Sequence, residues 1–519
     1  MLLLVMAVPA LLQTAGAQPA RTPFEVRLAA SVFSQAFGFV ATRALEPTTV
    51  QDLAVWSLAG IAALDPSLSV RTDAATLRLL QNGREIYQRG APPPMGDPDG
   101  GATSERASQV WGPAVADMLS AAWELSEPVR RAGTAGVITA VFDEIVTHLD
   151  PYSRYVPPGA ADLDRDRRLG DVGIGVRLGL QGRAIVVLSV NQAGPAADAG
   201  VVAGDRIMAV DDQSVDGEDA ATVQAMIAGV EGTDVSLTLR SRSGAVRTIE
   251  AERAVMTPET VFADRRGDLL VIRIAGFSAD TDQRLRQELT RWLGGRTQMA
   301  RGGPRGVVID LRGNRGGLLR QAVATTELLQ GPGVIATTAG RNPAARHDFT
   351  SRAADQTDGL PMAVLVDGRS ASAAEIMAAA LADNGRAVVI GSGTLGKGLV
   401  QTVANLPDGG EIFVTWSRVL APRGWPIQGL GVMPQLCTSL GPDSVAQQVQ
   451  SLGRGTSRVA SALARHRAAR APLTPQAILS LREDCPAADG PDLARDADLV
   501  TARAVLSNPR AYAAALLPR

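Results

Sequence analysis

Apolar residues recur at helical spacing over the first part of the chain, from residue 24 to residue 168. Side chains three or four positions apart lie on one face of a helix, so this spacing indicates helices that bury one side. The clearest run contains Val50, Leu53, Ala54, Trp56, Leu58 and Ile61. Residues 24–168 are therefore predicted to form a mainly helical N-terminal region.

The pattern changes near residue 170 to short segments in which apolar and polar residues alternate between Gly, Pro and Asp turns. Alternation with a period of two is typical of strands that have one buried face. The predicted strands are 174–180, 184–190, 205–210 and 235–240. A helix at 220–229 interrupts them and ends at a glycine, as helices commonly do. Residues 170–256 are predicted to be a small β-rich domain.

Between residues 257 and 440, apolar runs alternate with amphipathic stretches. The runs LLVIRIA, GVVIDL, MAVLV and AVVIG are predicted strands, and 280–293, 318–329 and 373–381 are predicted helices. Parallel strands need crossover connections, so this order predicts a sheet covered by helices. The Arg- and Ala-rich residues 441–519 are predicted to be a helical C-terminal appendage without chemistry.

Length and composition agree with a folded, multidomain α+β protein. A chain of 519 residues exceeds what one hydrophobic core usually organises, so roughly two to four domains are expected. Hydrophobic residues make up 45%, charged residues 20%, and the net charge is -2. With no basic excess to attract nucleic acid, we expect no nucleic-acid partner.

Residues 1–17 form an apolar stretch too short to span a membrane, ending in the small residues Ala15-Gly16-Ala17. This pattern predicts a signal peptide and therefore export to the periplasm or cell envelope. The alternative is an apolar N-terminus on an unexported protein.

Cys437 and Cys485 are the two cysteines. In an oxidising compartment they could form a disulfide, and two separate buried thiols are the equal alternative.

Lys397 is the one lysine among 51 basic residues, so arginine fills every other basic position. Arginine stays protonated at working pH, whereas a lysine in a partly desolvated pocket can lose its proton and act as a base. Lys397 in Gly396-Lys397-Gly398 therefore suggests a catalytic amine, although chance in a lysine-poor chain remains an alternative.

The three histidines, His148, His347 and His466, lie in the helical region, a polar segment and the C-terminal region. None has an active-site setting, and the chain contains no G-x-S-x-G motif, so a Ser-His-Asp triad is poorly supported. With no HExxH motif and no Cys/His cluster, metal hydrolysis is poorly supported as well.

Ser372 is the candidate nucleophile. It lies between the predicted strand MAVLV and the helix that follows. Free N–H groups at a helix start can stabilise an oxyanion. Serine at this position is also an ordinary helix N-cap, so the position alone leaves both roles open.

Six motifs make the sequence resemble the C-terminal processing peptidases, also called tail-specific proteases. They are LDPYSRY at 149–155, GIGV at 173–176, GPAADAGVVAGDRIMAVDD at 194–212, GVVIDLRGNRGGLL at 306–319, GRSASAAEI at 368–376 and GTLGKGLVQ at 393–401. The resemblance covers residues 134–434. It implies a peptidase core similar to the ClpP/crotonase type of fold.

The resemblance also implies roles for individual residues. Ser372 would be the nucleophile, Lys397 the general base and Gln401 the residue that orients the lysine amine. The N–H of Ala373 and a glycine of the pair Gly316 and Gly317 would form the oxyanion hole.

The sequence departs from the family pattern at two positions. Ala374 stands where the family usually has a serine, and Arg315 stands where it usually has a proline before the two glycines. Glu375 matches the family, and we expect it to act as a first-turn carboxylate at the helix N-terminus.

The β-rich segment resembles a PDZ domain, a module that binds the C-terminal end of a peptide by strand addition. Gly173, Ile174, Gly175 and Val176 resemble its carboxylate-binding loop. The downstream run GPAADAGVVAGDRI matches the family's helix-and-strand signature.

Together these features predict an exported serine endopeptidase with a Ser-Lys dyad that needs no metal or cofactor. Its expected partners are protein or peptide substrates with free C-termini. The alternative is a catalytically inactive PDZ scaffold that binds exported proteins. The sequence leaves open a regulatory partner or a homo-oligomer.

Overall fold

The computed structural model describes residues 23–73, 75–93, 101–191, 194–294, 302–454, 458–488 and 496–518. The predicted signal peptide, 1–17, lies outside the described residues. The chain divides into two compact units. The first comprises Thr48–Tyr155, the residues up to Thr42 and Asn405–Asp408, and the second comprises the rest. Within the described ranges, no helix is both long enough and apolar enough to cross a lipid bilayer.

The N-terminal region is largely helical, as its apolar spacing predicts. Its helices are α1 (Val26–Arg43), α2 (Val50–Ala59), α3 (Gly101–Leu125) and α4 (Glu127–Thr147), with a 3-10 turn at Gly60–Ala63. Phe33 packs against Phe37 and Phe142 in the core. Thr49 caps the start of α2: its Oγ1 accepts a hydrogen bond from the N–H of Asp52 at 3.1 Å, and its own N–H donates to Oδ2 of Asp52 at 3.2 Å. Such reciprocal capping fixes a helix start.

An antiparallel three-stranded sheet interrupts this helical region. The apolar pattern of the sequence did not predict this sheet. Its strands are β1 (Leu68–Thr72), β2 (Thr76–Gln81) and β3 (Arg84–Gly90). Asn82 and Gly83 form the turn between the second and third strands, with φ values of 50° and 80°. Asparagine followed by glycine favours this tight hairpin turn because both residues tolerate positive φ. The Asn82-Gly83 pair was therefore a hairpin signal that the sequence already contained.

The β-rich segment forms an antiparallel sheet in the order β11-β10-β8-β7-β6, with β9 beside β8 and β5 paired with β12. Its strands are β5 (Asp171–Gly173), β6 (Val176–Gln181), β7 (Ala184–Val190), β8 (Arg206–Val210), β9 (Gln213–Ser214), β10 (Asp234–Arg240), β11 (Val246–Glu252) and β12 (Ala254–Met256). Helices α6 (Pro195–Asp198) and α7 (Ala220–Ile227) belong to it, and β4 (Arg154–Val156) and α5 (Pro158–Leu169) precede it. Alternate residues such as Val235, Leu237 and Leu239 are buried, as expected for strands with one core face.

The central sheet of the second unit has the order β13-β14-β15-β18-β19-β22. Its strands are β13 (Val261–Arg266), β14 (Leu269–Ile274), β15 (Gly306–Asp310), β18 (Met362–Val366), β19 (Val388–Gly391) and β22 (Leu436–Cys437). Strand β13 is antiparallel to β14, and the other neighbours are parallel. The predicted sheet covered by helices is confirmed.

Both faces of this sheet are buried, which explains its nearly continuous apolar strands. One face packs against α8 (Thr281–Leu293), α9 (Leu319–Gln330) and α10 (Ala373–Asp383). The other packs against residues of α11 (Pro442–Gly453), α14 (Ala497–Leu506) and α15 (Pro509–Ala515). Helices α12 (Arg458–Ala468) and α13 (Pro475–Arg482) complete the C-terminal region.

The C-terminal region is therefore part of the core of the second unit, which corrects the prediction of an appendage. Ala502, Val505 and Leu506 of α14 are buried against the central sheet. Cys437, in β22, forms a disulfide with Cys485, so of the two alternatives for the cysteines the structure has the paired one.

A second, smaller sheet in this unit has the order β17-β16-β21-β20. Its strands are β16 (Gly333–Ala339), β17 (His347–Ser351), β20 (Leu399–Asn405) and β21 (Glu411–Leu420), and a 3-10 turn lies at Pro343–Ala345.

Candidate active site

Three loops that carry the candidate residues follow three adjacent parallel strands. The glycine loop (residues 313–317) follows β15, the serine loop (367–372) follows β18, and the lysine loop (392–398) follows β19. The carboxyl ends of parallel strands meet at one edge of a sheet, where α/β proteins commonly bind ligands. The topology thus brings together segments that are far apart in sequence.

Asn314 fixes the glycine loop from inside the protein. Its side chain is fully buried and donates to the carbonyl of Ile274 at 2.8 Å, and its Oδ1 accepts from the N–H of Gly316 at 2.8 Å. The carbonyl of Asn314 accepts from the N–H of Ala371 at 2.9 Å. Asn314 therefore ties the glycine loop to the central sheet through its side chain and to the serine loop through its backbone carbonyl.

The two adjacent glycines of this loop, Gly316 and Gly317, occupy conformations and spaces that exclude a side chain. Gly316 has φ of 99° and Gly317 has φ of 144°, values that glycine adopts without strain. A Cβ on Gly316 would lie 2.8 Å from the Cβ of Ser372, and one on Gly317 would lie 2.2 Å from the carbonyl oxygen of Phe277. The glycine loop is thus packed directly against the candidate nucleophile.

Asp367 organises the serine loop. Its carboxylate accepts hydrogen bonds from the backbone N–H groups of Gly313, Arg369 and Ser370 at 3.0, 3.1 and 2.9 Å. Ser370 donates from Oγ to the carbonyl of Leu311 at 2.9 Å. These bonds hold the loop rigidly before Ser372.

Ser372 has a backbone conformation that ordinary helix caps do not have. It precedes α10 with φ of 57° and ψ of -116°. By comparison, the N-cap residues Thr49 and Asp219 have φ of -88° and -87° and extended ψ values of 156° and 164°. A non-glycine residue at positive φ is strained, and such strain is concentrated at functional sites. Ser372 therefore forms a capping box with Glu375 in a strained conformation that plain capping does not require.

Glu375 joins the serine loop to the lysine loop. Its side chain is fully buried. One carboxylate oxygen, Oε2, accepts from the backbone N–H of Ser372 at 2.7 Å and from that of Lys397 at 2.9 Å. The other, Oε1, accepts from the N–H of Gly396 at 2.7 Å and from the hydroxyl of Thr394. The backbones of the candidate nucleophile and base are thus bridged by a single oxygen atom.

Two opposing effects act on the pKa of Glu375. The pKa of Glu375 is raised, because burial outweighs the hydrogen bonds from Thr394, Gly396, Ser372 and Lys397, which lower it. The expected role as a first-turn carboxylate covers only the bond to Ser372. Sequence reasoning missed the reach to the lysine loop, because its partners there are mostly backbone N–H groups that carry no sequence signal.

Lys397 is half-buried in the lysine loop, and Gln401 is half-buried in β20. The loop turns at Gly396, which has φ of 89° and whose carbonyl accepts from the N–H of Gly429 at 2.9 Å. Gly398 donates from its N–H to Oε1 of Gln428 at 2.9 Å. The residues on both sides of Lys397 are therefore held by the segment around 428–431.

The two backbone N–H groups best suited to an oxyanion are those of Ala373 and Gly317. Within the described part of the chain, neither group donates to a protein acceptor. The N–H of Gly316 already donates to Asn314. Ala373 begins α10, where the positive end of the helix dipole favours negative charge.

The four residues of the candidate carboxylate-binding loop join β5 to β6. Gly173 ends β5 and Val176 begins β6. Ile174 is buried, and its carbonyl accepts from the N–H of Ala196 at 2.9 Å. Gly175 has φ of 82°. Strand β6 is an edge strand of the sheet and packs beside α7. An edge strand with a neighbouring helix is suited to the addition of a peptide strand.

The histidines have structural surroundings. His148 stacks on Trp56 with ring centroids 4.5 Å apart and contacts Glu144. His466 packs edge-on against Trp425, and its burial, together with neighbouring arginines, lowers its pKa to about 3. His347 begins β17. None of these contacts involves Ser372.

Comparison with known families gives two matches. The model of peptidase family S41 matches residues 268–437, and the model of the PDZ domain matches residues 186–241. The first match contains the glycine, serine and lysine loops. The second contains most of the antiparallel sheet next to the candidate carboxylate-binding loop.

Individual proteins extend this similarity over most of their own length. The carboxy-terminal-processing protease of Bartonella bacilliformis is 32% identical over 303 residues, 58% of this chain and 69% of that protein. The corresponding protease of a Picosynechococcus species is 32% identical over 296 residues, 55% of this chain and 69% of that protein.

A solved structure of a photosystem II D1 C-terminal processing protease is 29% identical, with a TM-score of 0.35, and the match covers 64% of this chain and 90% of that one. The family match at the three loops and the identity to the two bacterial relatives together establish the family. This chain belongs to the carboxy-terminal-processing proteases of peptidase family S41 and is a serine peptidase with a PDZ domain.

Proposed function

We propose that the chain is an endopeptidase that uses Ser372 as nucleophile and Lys397 as general base. One observation carries the proposal: the N–H groups of both residues donate to the same oxygen of buried Glu375. A base must lie within hydrogen-bond reach of the proton that it removes, and this bridge holds the two backbones side by side. The strained backbone of Ser372 supports the same role.

The identity of the base follows from side-chain chemistry. Lys397 is the one lysine of the chain, and an amine, unlike a guanidinium, can become neutral in a partly desolvated site. Gln401, four positions later on β20, is proposed to orient the amine. The carboxamide can accept a hydrogen bond from the amine without adding a charge that would raise the lysine pKa.

The reaction is acyl transfer in two steps. Neutral Lys397 takes the proton from Oγ of Ser372 as Oγ bonds to the scissile carbonyl carbon, and the resulting ammonium protonates the leaving amine as the C–N bond breaks. Water then attacks the acyl-enzyme and gives a proton to Lys397, which returns it to Ser372 as the new carboxyl terminus leaves.

The oxyanion is proposed to bind the N–H groups of Ala373 and Gly317. Both groups lack a protein acceptor among the described residues, and preorganised donors of this kind stabilise charge that develops in the transition state. Gly316 belongs to the site in another way, because its missing side chain leaves space beside Ser372.

The PDZ domain is proposed to capture the C-terminal tails of exported substrates. The loop at Gly173, Ile174, Gly175 and Val176 would hold the terminal carboxylate with its backbone amides while the tail pairs with β6. Export to the periplasm or cell envelope is supported by the apolar residues 1–17. The disulfide between Cys437 and Cys485 adds support, since disulfides persist in oxidising compartments.

Tail capture can be tested with peptides that differ only in a free or an amidated C-terminus. Hydrogen bonds to a charged group contribute about 1.5 kcal/mol or more, so amidation should raise KM about tenfold and leave kcat unchanged. Equal KM values for both forms across several peptides would exclude carboxylate recognition.

The proposal as a whole is tested by incubating the purified protein with an unfolded test protein and sequencing the fragments. Internal cuts by the wild type, with none by Ser372→Ala, are expected. Binding of the test protein without cleavage by the wild type would instead support the inactive PDZ scaffold.

A further inference from the structure

The C-terminal segment 482–488 contacts the proposed catalytic loops from outside the residues that match the peptidase family. Arg482 ends α13 and its guanidinium donates to three backbone carbonyls. Nη1 donates to the carbonyls of Gly429 and Leu430 at 3.0 and 2.8 Å, and Nη2 donates to the carbonyl of Thr394 at 2.7 Å. A planar guanidinium is suited to such simultaneous contacts, which one ammonium cannot reproduce with the same geometry.

Thr394 connects this contact to the proposed dyad. It belongs to the lysine loop, and its hydroxyl donates to Glu375 and accepts from the N–H of Val432 at 2.7 Å. Arg482 therefore fixes the backbone of the residue whose side chain secures Glu375. Through Glu375, the same network reaches the N–H groups of both Ser372 and Lys397.

The carbonyls of Gly429 and Leu430 belong to the segment against which the lysine loop packs. The N–H of Gly429 donates to the carbonyl of Gly396, and a Cβ on Gly396 would lie 3.0 Å from the carbonyl carbon of Gly429. Arg482 thus clamps the lysine loop and its support together, with Lys397 immediately beyond the clamped turn.

The rest of the segment reaches the serine loop. The carbonyl of Ala488 accepts from the N–H of Gly368 at 2.8 Å, and the N–H of Ala488 donates to Oγ of Ser392 at 3.1 Å. Between Arg482 and Ala488, Cys485 forms a disulfide with Cys437. One segment therefore contacts the serine loop and the lysine loop at once.

Charge couples Arg482 to the same network. The pKa of Arg482 is lowered by burial, and the negative charge of Glu375 offsets part of this shift. Because arginine remains protonated, its positive charge compensates a carboxylate that is buried with only neutral hydrogen-bond donors.

We propose that Arg482 is a positioning residue for catalysis, holding the lysine loop so that Lys397 faces Ser372. This inference rests on the proposed Ser-Lys dyad. Arg482 does not touch the reacting atoms, so its removal should slow the chemical step without weakening substrate binding.

The chain offers a matched control in Arg470. Its guanidinium also donates to three backbone carbonyls, those of Arg467, Ala469 and Arg423, at 3.0, 2.8 and 3.1 Å. None of these belongs to the glycine, serine or lysine loop. Comparing Arg482→Met with Arg470→Met therefore separates the loss of an arginine clamp in the C-terminal region from the loss of this particular clamp.

The experiment measures kcat and KM for a peptide and the rate at which a fluorophosphonate labels the full-length enzyme. Misplacement of a catalytic group by about 1 Å can cost about 100-fold, so Arg482→Met should lower kcat and the labelling rate about 10- to 100-fold with KM unchanged. Arg470→Met should match the wild type, and Arg482→Lys should recover part of the loss because it restores the charge and one donor.

Three results would overturn the inference: wild-type kcat in Arg482→Met, a loss confined to KM, or equal losses in Arg482→Met and Arg470→Met that follow their melting temperatures. If Arg482→Met does not fold, Arg482→Lys decides, since wild-type kcat in that variant would remove the need for the guanidinium geometry.

Ser372→Ala tests the underlying proposal of a Ser-Lys dyad separately. Cleavage or labelling that survives in Ser372→Ala would refute the dyad itself, whereas loss in Ser372→Ala with full activity in Arg482→Met would refute only the role of Arg482.

Discussion

The two ends of helix α10 each carry a buried carboxylate, and the two are stabilised by different direct partners. Glu375, at the start, accepts hydrogen bonds from N–H groups and a hydroxyl. Asp383, at the end, accepts from Nε of Arg467 at 2.8 Å and from Nε1 of Trp425 at 2.7 Å. The helix dipole explains the difference, because it stabilises negative charge at the helix start and opposes it at the end.

This difference separates a helix end that supports the catalytic loops from one that stabilises the fold. The start of α10 needs no cation in direct contact, so its carboxylate can hold the backbones of two loops. The end of α10 needs an arginine, and that arginine comes from α12 in the C-terminal region. We therefore expect changes at the start to affect mainly turnover and changes at the end to affect mainly stability.

The largest expected effect is that of Lys397→Arg, next to the start of α10. The variant keeps a positive charge but replaces a deprotonatable amine with a guanidinium that cannot act as a base. Turnover should fall by about 10²- to 10⁴-fold, the usual contribution of a general base, while the melting temperature and binding of peptide tails persist. Ser372→Ala should lose as much, since residues that act as a unit are not additive. Retention of more than about a tenth of wild-type turnover would refute the dyad, given the size of that contribution.

At the opposite end, Arg467→Met should destabilise the protein without slowing the chemistry. It leaves the carboxylate of Asp383 buried without its cation, which typically lowers the free energy of unfolding by about 3–5 kcal/mol. Denaturant unfolding measures this loss, and kcat below the melting temperature should match the wild type. Arg465→Met, two positions earlier and exposed, is the control and should change stability by no more than about 0.5 kcal/mol. A large fall in kcat for Arg467→Met would erase the distinction between the two ends.

Glu375→Gln should affect both properties, each to a smaller extent. The amide nitrogen would face hydrogen-bond donors that now meet an oxygen, leaving buried groups unpaired at about 1–3 kcal/mol of stability. Since the two loops would shift, kcat should also fall about tenfold or more. Glu288→Gln on α8, where the carboxylate accepts from Trp292, is the matched control. Unchanged kcat with reduced stability would limit Glu375 to a structural role.

His466, which precedes Arg467 on α12, should make the stability of the protein fall at acid pH. Its pKa is lowered to about 3 in the folded protein, from about 6.5 in unfolded chains. The unfolded state therefore binds more protons below pH 6.5, so this contribution to stability is complete above about pH 6.5 and declines as the pH falls towards 3. The decline should approach about 1.4 kcal/mol per pH unit. Unfolding curves of the wild type and His466→Phe between pH 7 and pH 4 check this. Parallel pH dependences would exclude His466 as the source.

Apolar patterning was sufficient to predict four of the six strands of the central sheet and missed the edge strands β13 and β22. The strands of LLVIRIA, GVVIDL, MAVLV and AVVIG are buried on both faces, and such strands are recognisable as continuous apolar runs. The β1–β3 sheet was missed because its strands lie within a helical pattern, even though Asn82-Gly83 marks the hairpin turn.

The candidate site was predictable where side chains carry the chemistry. The residue types of Ser372 and Lys397 suggest a nucleophile and a base, and the family resemblance implies Ala373 and a glycine of the pair Gly316 and Gly317 as oxyanion donors. These roles stay predictions. The role of Arg482 was not predictable, because arginine fills every other basic position and the acceptors of this one are backbone carbonyls. The position of the C-terminal region against the central sheet was also hidden, since an amphipathic helix indicates that one face is buried but not against what.

The disulfide between Cys437 and Cys485 has a consequence for an enzyme that meets other copies of itself. It closes a covalent ring that includes α11, α12 and α13. A single cut anywhere within that ring leaves both pieces joined, so segment 482–488 would stay beside the catalytic loops after the chain was nicked. Self-digestion in this part of the protein would then show on a reducing gel before it reduced activity.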